Sequence, residues 1–211
     1  MFVNLGCGPG KLEALQYENY DSSRKLLLSK LHVPAQLLYD PSKVDAVWDK
    51  RAKFKNVLNL RFTNDTVDGV YSSHLLEHLY YEDALTLIKT IYCFLKPGGL
   101  VRFALPDYDN FVDEYISQRL INPVEAIKTF ENRLLSHNSA RPNLTTRLRY
   151  YVLGNLHTHK WHPTFPLVKD ALNSVGYSTV ERKSFRDSYL PEIELLECRN
   201  DNTFFIEAMK A

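Results

Sequence analysis

Phe2-Val3-Asn4-Leu5-Gly6-Cys7-Gly8-Pro9-Gly10 opens the chain with an apolar run that breaks into alternate glycines. The run reads as a buried strand. Glycines directly after it let the backbone turn sharply and approach a ligand with no side chain in the way. A loop of this kind at the carboxyl end of a first parallel strand is where doubly wound α/β sheets hold nucleotide-like ligands. The spacing is Gly-x-Gly-x-Gly, which lacks the last interval of the dinucleotide fingerprint Gly-x-Gly-x-x-Gly.

Outward from this loop, strand and helix signals alternate, the pattern of a parallel sheet covered on both faces. Tyr17-Glu18-Asn19-Tyr20-Asp21 predicts a second strand with an acid at its tip, and Ser22 to Leu31 a helix. Lys55 to Leu60 predicts the third strand and Asp68 to Ser72 the fourth. Asp83 to Phe94 reads as an amphipathic helix stopped by Lys96-Pro97-Gly98-Gly99, and Leu100 to Leu105 as the fifth strand, ending at Pro106-Asp107. Thr164 to Val175 is a further helix closed by Gly176. Thr179 to Phe185 and Thr203 to Lys210 are the last two strands, close enough in sequence to predict an antiparallel end. Residues 108–160 break the alternation with helical stretches rich in Tyr, Phe and Arg, including Phe111, Tyr115, Phe130, Arg133, Arg147, Arg149, Tyr150 and Tyr151. An insertion here, at the ligand-facing edge, forms either a lid and substrate wall or a helical elaboration packed on the core.

A length of 211 residues with 45% hydrophobic composition suits one domain spanning 1–211. The formal charge is +1 with no long Lys/Arg run, which disfavours a nucleic-acid partner held through phosphates. Cys7, Cys93 and Cys198 are widely spaced, odd in number and without a C-x-x-C pair. That argues against a disulfide scaffold and a cysteine zinc site, and for a reducing compartment. Without a basic-then-apolar leader or a span-length apolar run, the expected location is the cytoplasm, where Asn64-Asp65-Thr66 and Asn143-Leu144-Thr145 are chance matches to the glycosylation pattern.

Three stretches taken in order carry a family likeness: Asn4-Leu5-Gly6-Cys7-Gly8, then Thr66-Val67-Asp68-Gly69-Val70-Tyr71-Ser72-Ser73-His74-Leu75-Leu76-Glu77-His78-Leu79, then Leu95-Lys96-Pro97-Gly98-Gly99-Leu100. The series resembles the class I, Rossmann-like S-adenosylmethionine-dependent methyltransferases. It is most similar to a subgroup of predicted methyltransferases often met beside genes for cell-surface polysaccharides. Leu105-Pro106-Asp107, His159-Lys160-Trp161 and Phe204-Phe205-Ile206-Glu207-Ala208 extend the resemblance over nearly the whole chain.

The resemblance implies a three-layer α/β sandwich. Its seven-stranded sheet would be mostly parallel, with the last strand inserted antiparallel and the helical insertion following strand five. It implies S-adenosyl-L-methionine as cofactor, with Gly6, Cys7 and Gly8 lining its methionine part. Asp21 would accept from the ribose hydroxyls. Its short separation from Gly6 requires the first helix to be nearly absent, and Asp40 is the alternative. Asn59 and Leu60 would offer themselves to adenine, with Asn56 or Asp49 as alternatives, an Asn amide supplying both a donor and an acceptor. Ser72 and Ser73 would lie beside the reactive methyl. The implied acceptor is a hydroxyl or amine of a small molecule or sugar, the sugar class following from the subgroup's genomic company alone.

Other chemistries are weighed against this. His74-Leu75-Leu76-Glu77-His78 matches the H-x-x-E-H pattern of one metalloprotease class. It lies between a strand end and a helix start, so the reading assigns no metal. One histidine would orient the cofactor loop and the other face the substrate, or both would cap the helix start. His157, His159 and His162 fit no single helix face. The resemblance puts His159 at the return of the lid, as a candidate base or as part of a structural Trp-His corner. His78 and His159 are thus the catalytic candidates. Tyr71-Ser72-Ser73-His74 lacks both the Asp/Asn-Pro-Pro-aromatic series and a Pro-Cys nucleophile, which disfavours DNA amino and cytosine-carbon methylation. The remaining alternatives are a cofactor-binding protein without transfer and an NAD-dependent oxidoreductase, the latter opposed by the glycine spacing.

Overall fold

Along β1 (Phe2–Leu5) the side chains alternate between two differently furnished faces. Val3 and Leu5 enter the main apolar core, while Phe2 packs on a second cluster and Asn4 donates to Asn19 Oδ1 at 2.9 Å. The computed structural model, which describes residues 1–33, 47–135, 147 and 159–211, extends this strand into a seven-stranded sheet. Its other members are β2 (Tyr17–Asp21), β3 (Lys53–Phe54), β4 (Val67–Ser73), β5 (Leu95–Pro106), β6 (Tyr177–Lys183) and β7 (Thr203–Lys210), in the order β3-β2-β1-β4-β5-β7-β6. Only β7 runs antiparallel, inserted between β5 and β6, as expected.

One face is covered by α2 (Tyr81–Phe94) and α5 (Phe165–Val175). Ala84, Leu87, Ile88, Ile91 and Phe94 recur at helical spacing on α2 and bury against Val3, Val70, Val101 and Phe103. The opposite face is covered differently. Residues 6–16 form no helix, and the chain from 184 to 199, including the short α6 (Ile193–Leu196), packs there instead. Beneath it lies Arg102, fully buried on β5. Its Nε donates to Glu197 Oε1 at 2.6 Å, Nη1 to Asp187 O at 2.8 Å and Nη2 to Ser184 O at 2.8 Å. A buried charge survives only when paired and hydrogen-bonded, so this network pins the covering loop to the sheet.

After β2, Ser23 caps α1 (Arg24–Lys30), which lays Leu26 on Leu12, Trp48 and Ala52. Three expected boundaries move. The third strand is Lys53–Phe54 and not 55–60, because Asn56 Oδ1 accepts from the Leu58 N–H and starts a 3₁₀ turn over Val57–Asn59. β5 starts at Leu95, since Lys96 to Gly99 form a bulge across which pairing jumps from Val67↔Leu95 to Gly69↔Leu100. β6 runs from Tyr177 to Lys183 and not 179–185, with an irregularity between Ser178 and Glu181 where Thr179 takes a φ of +51°.

The insertion after β5 begins with α3 (Tyr108–Gln118) and α4 (Pro123–Leu135), which stack Tyr115 on Phe130 with ring centroids 5.0 Å apart. Asp40, the Asn143 triplet, Arg149, Tyr150, Tyr151 and His157 lie outside the described residues. Among the described residues no helix is long and apolar enough to cross a membrane.

Candidate active site

The loop after β1 is fixed by main-chain bonds before any ligand is considered. Gly6 and Cys7 N–H both donate to Tyr20 O, at 2.8 and 3.2 Å. Gly8 N–H donates to Asp21 Oδ2 at 3.0 Å, and Ser23 N–H to Asp21 Oδ1 at 2.7 Å. One carboxylate thus ties the glycine loop to the tip of β2. Burial raises its pKa, and the backbone donors at Ser23 and Gly8 oppose the rise.

Gly6 and Gly8 both take left-handed backbone, with φ of +71° and +66°. Their surroundings differ. A Cβ on Gly6 would stand 3.1 Å from Leu75 Cβ, whereas one on Gly8 would meet nothing within 4 Å among the described residues. Gly6 therefore admits Leu75, and Gly8 borders open space with bare backbone. Between them, burial and then Asp21 push the Cys7 thiol up to about 12, so it stays protonated and is no nucleophile.

Leu5 at the end of β1 pairs in register with Ser72 of β4, and Ser73 pairs with Ala104. Ser72 is buried, and its hydroxyl has no hydrogen-bond partner among the described residues. At the β3 end, the residue opposite Asp21 is Phe54, and Lys55 N–H donates to Asp21 O at 3.0 Å. Asn59 and Leu60 lie past this strand tip, contrary to expectation. Asn59 is exposed on the 3₁₀ turn, and Leu60 is buried in the main core.

A second group of side chains gathers after β4. His74 takes a φ of +48° and donates its N–H to Ala104 O, so it leaves the strand before the 3₁₀ turn Leu76–His78 begins. Glu77 in that turn is 0% exposed. Its Oε1 lies 3.1 Å from His74 Nδ1, and its Oε2 has no hydrogen-bond partner among the described residues. The returning chain clamps the same turn: Lys160 N–H donates to Glu77 O at 2.7 Å and Trp161 Nε1 to Leu76 O at 2.8 Å.

These bonds bring His159 beside His78, with ring centroids 5.0 Å apart and edge to face. The Tyr108 hydroxyl, at the start of α3, bonds His159 Nδ1, and the His162 ring lies 4.7 Å from the Tyr108 ring. Burial lowers the His159 pKa to about 4, Glu77 opposing and His78, His162 and His74 adding to the shift. At neutral pH His159 is an uncharged, weak base. The two catalytic candidates are therefore brought together, but His74 and His78 do not share a helix face as the H-x-x-E-H pattern suggests. Sequence reasoning missed Tyr108 and the partnership of Glu77 with His159. The signal available was an acid held in an otherwise apolar turn.

The sequence profile of the methyltransferase domain family matches residues 3–103. Just under half of the chain is thus similar to a methyltransferase domain. No curated protein matches the sequence. Among solved structures, a SAM-dependent methyltransferase from Archaeoglobus fulgidus is 16% identical with a TM-score of 0.52, covering 99% of this chain and 85% of its own. A SAM-dependent methyltransferase of Thermotoga maritima, described as a possible histamine N-methyltransferase, is 13% identical with a TM-score of 0.52, covering 100% and 81%. Both share the Rossmann-like methyltransferase fold. S-adenosyl-L-methionine is the cofactor that this likeness implies, and the residues present fit it. Gly8 offers bare backbone beside open space, Asp21 holds a carboxylate at the neighbouring strand tip, and Ser72 keeps a buried hydroxyl.

Proposed function

We propose that the protein transfers a methyl group from S-adenosylmethionine to a hydroxyl or amine of a small molecule, a sugar or glycan precursor foremost. The observation that carries this reading is that the glycine loop and the imidazole cluster meet at one sheet edge, with Leu75 seated on Gly6. Cofactor and acceptor would lie on opposite sides of that contact. The sulfonium brings an already activated methyl group, so the protein's task is to bind, align and exclude water.

In this reading Gly6, Cys7 and Gly8 line the methionine portion, and Asp21 accepts from the ribose hydroxyls with the lone pairs its loop bonds leave over. Ser72 and Ser73 flank the methyl-bearing end. His78 and His159, with Tyr108 and His162, form the acceptor wall. Imidazole and phenol groups give single directional hydrogen bonds, which suits an acceptor rich in hydroxyls. His159, kept neutral, orients the acceptor and does not carry its proton far.

The test is turnover of S-adenosylmethionine with free sugars, nucleotide sugars and small amines, read as S-adenosylhomocysteine by mass spectrometry. The reading expects product with at least one hydroxyl or amine acceptor and loss of it in His78→Ala. Tight S-adenosylhomocysteine binding with no turnover across the panel would instead favour a binding protein that lost transfer.

A further inference from the structure

We propose that Glu77, His78 and His159 form a binding site for one divalent transition metal of the zinc type. One ligand atom from each of the three lies within 4.8 Å of the other two. Around a tetrahedral zinc with bonds of about 2.0–2.1 Å, ligand atoms stand roughly 3.3 Å apart, so closing the set asks for a shift of about an ångström. Two imidazoles and one carboxylate are a donor set for zinc and its neighbours. Magnesium and calcium would ask for oxygen ligands throughout.

The second observation is Glu77 itself. A carboxylate with 0% exposure has one oxygen bonded to His74 Nδ1 and the other, Oε2, without a hydrogen-bond partner among the described residues. Burying an unpaired carboxylate oxygen is costly, and coordination to a cation is one of the few ways to repay it. The surroundings also have the form of an outer shell. His74 orients Glu77 through Oε1, and Tyr108 bonds His159 Nδ1. In the tautomer that donates Nδ1–H to the Tyr108 oxygen, His159 would coordinate a metal through Nε2. The main-chain bond from Lys160 to Glu77 and the indole bond from Trp161 to Leu76 hold the two ligand-bearing segments together without the ion.

His74 is excluded as a ligand by its own bonds, Nδ1 to Glu77 and Nε2 3.4 Å from Thr203 Oγ1. The site is therefore not the one the H-x-x-E-H spacing suggests. Three protein ligands leave a fourth position for water or for an acceptor oxygen. Its use by an acceptor rests on the transferase reading. Metal binding itself does not.

The experiment is titration of chelator-stripped full-length protein with zinc chloride by calorimetry and with cobalt chloride by visible absorption. One zinc per chain and the d–d bands of tetrahedral cobalt are expected. His159→Gln and His78→Gln should each weaken binding at least 100-fold with an unchanged circular dichroism spectrum, and Tyr108→Phe 10–100-fold, as loss of an orienting partner does. Glu77→Gln should behave likewise; if it fails to fold, the two histidine variants decide. No zinc uptake by the wild type, or uptake unchanged in His159→Gln, overturns the site. S-adenosylhomocysteine is titrated into the same wild-type sample. Cofactor binding without zinc uptake removes only the metal, and zinc uptake without cofactor binding removes only the transferase reading.

Discussion

Gly8→Val is the change whose consequence follows most directly from the loop geometry. At φ +66° an L side chain costs about 1–2 kcal/mol of strain, and a branched Cβ is worse placed than most. The added Cβ meets no atom of the described residues within 4 Å, so no clash with them adds to that strain and the fold should persist. Two outcomes are open to the loop. If it keeps its backbone, the isopropyl group fills the space where the methionine portion would lie. If it relaxes, the Gly8 N–H leaves Asp21 Oδ2, and the loop and the carboxylate both lose their positions. Either way S-adenosylhomocysteine affinity should fall at least about tenfold, or ~1.4 kcal/mol, in calorimetry on a variant shown folded by circular dichroism. Gly6→Ala is the contrasting control. Its Cβ would press on Leu75 at 3.1 Å, so it should lower thermal stability first. Unchanged affinity in folded Gly8→Val refutes the placement of the cofactor along this loop.

Asp21→Ala removes an acceptor that holds two backbone N–H groups, and charge-assisted bonds of this kind are worth about 1.5–3 kcal/mol each. S-adenosylhomocysteine binding should weaken by roughly 10–100-fold, and retained affinity would take the ribose away from Asp21. Glu197→Ala strands Arg102 at 0% exposure and should cost about 3–5 kcal/mol in urea unfolding, whereas a loss under ~1 kcal/mol would mean that the guanidinium finds other compensation. In metal-stripped protein, His159 has a pKa of about 4 when folded against 6.5 when unfolded. The unfolded chain then binds more protons between those values, so the contribution of this group is fully present above pH 6.5 and is lost as pH falls toward 4. His159→Phe should flatten that part of the melting temperature against pH, and an identical slope in both proteins would assign it to another group.

β2 and β7 were legible to the residue, because Tyr17 to Asp21 and Thr203 to Lys210 carry β-rich runs bounded by polar turns. The missing first helix also followed from sequence, since too few residues separate Gly6 from Asp21. The third strand misled because Val57 and Leu60 are apolar for the core but reach it from a turn that Asn56 caps, a local bond that periodicity does not register. Arg102 sits in a strand that reads as buried, and the loop that pairs it comes from beyond β6. At the site, the glycine loop and Asp21 were readable because their partners are close in sequence. Of the imidazole cluster, the pairing of His78 with His159 was expected through the family resemblance, whereas Tyr108 and Glu77 were not, since the clamp joins Trp161 to Leu76 across 85 residues. The left-handed turn at His74 also removes that residue from the helical spacing the motif implies.

The central claim is that the loop from Gly6 to Gly8, tied to Asp21, holds S-adenosylmethionine. Calorimetric titration of the full chain with S-adenosylmethionine, S-adenosylhomocysteine and NAD tests it most directly. One site per chain shared by the first two ligands, with no heat from NAD, is the predicted result. Binding of NAD with no response to S-adenosylhomocysteine would contradict it.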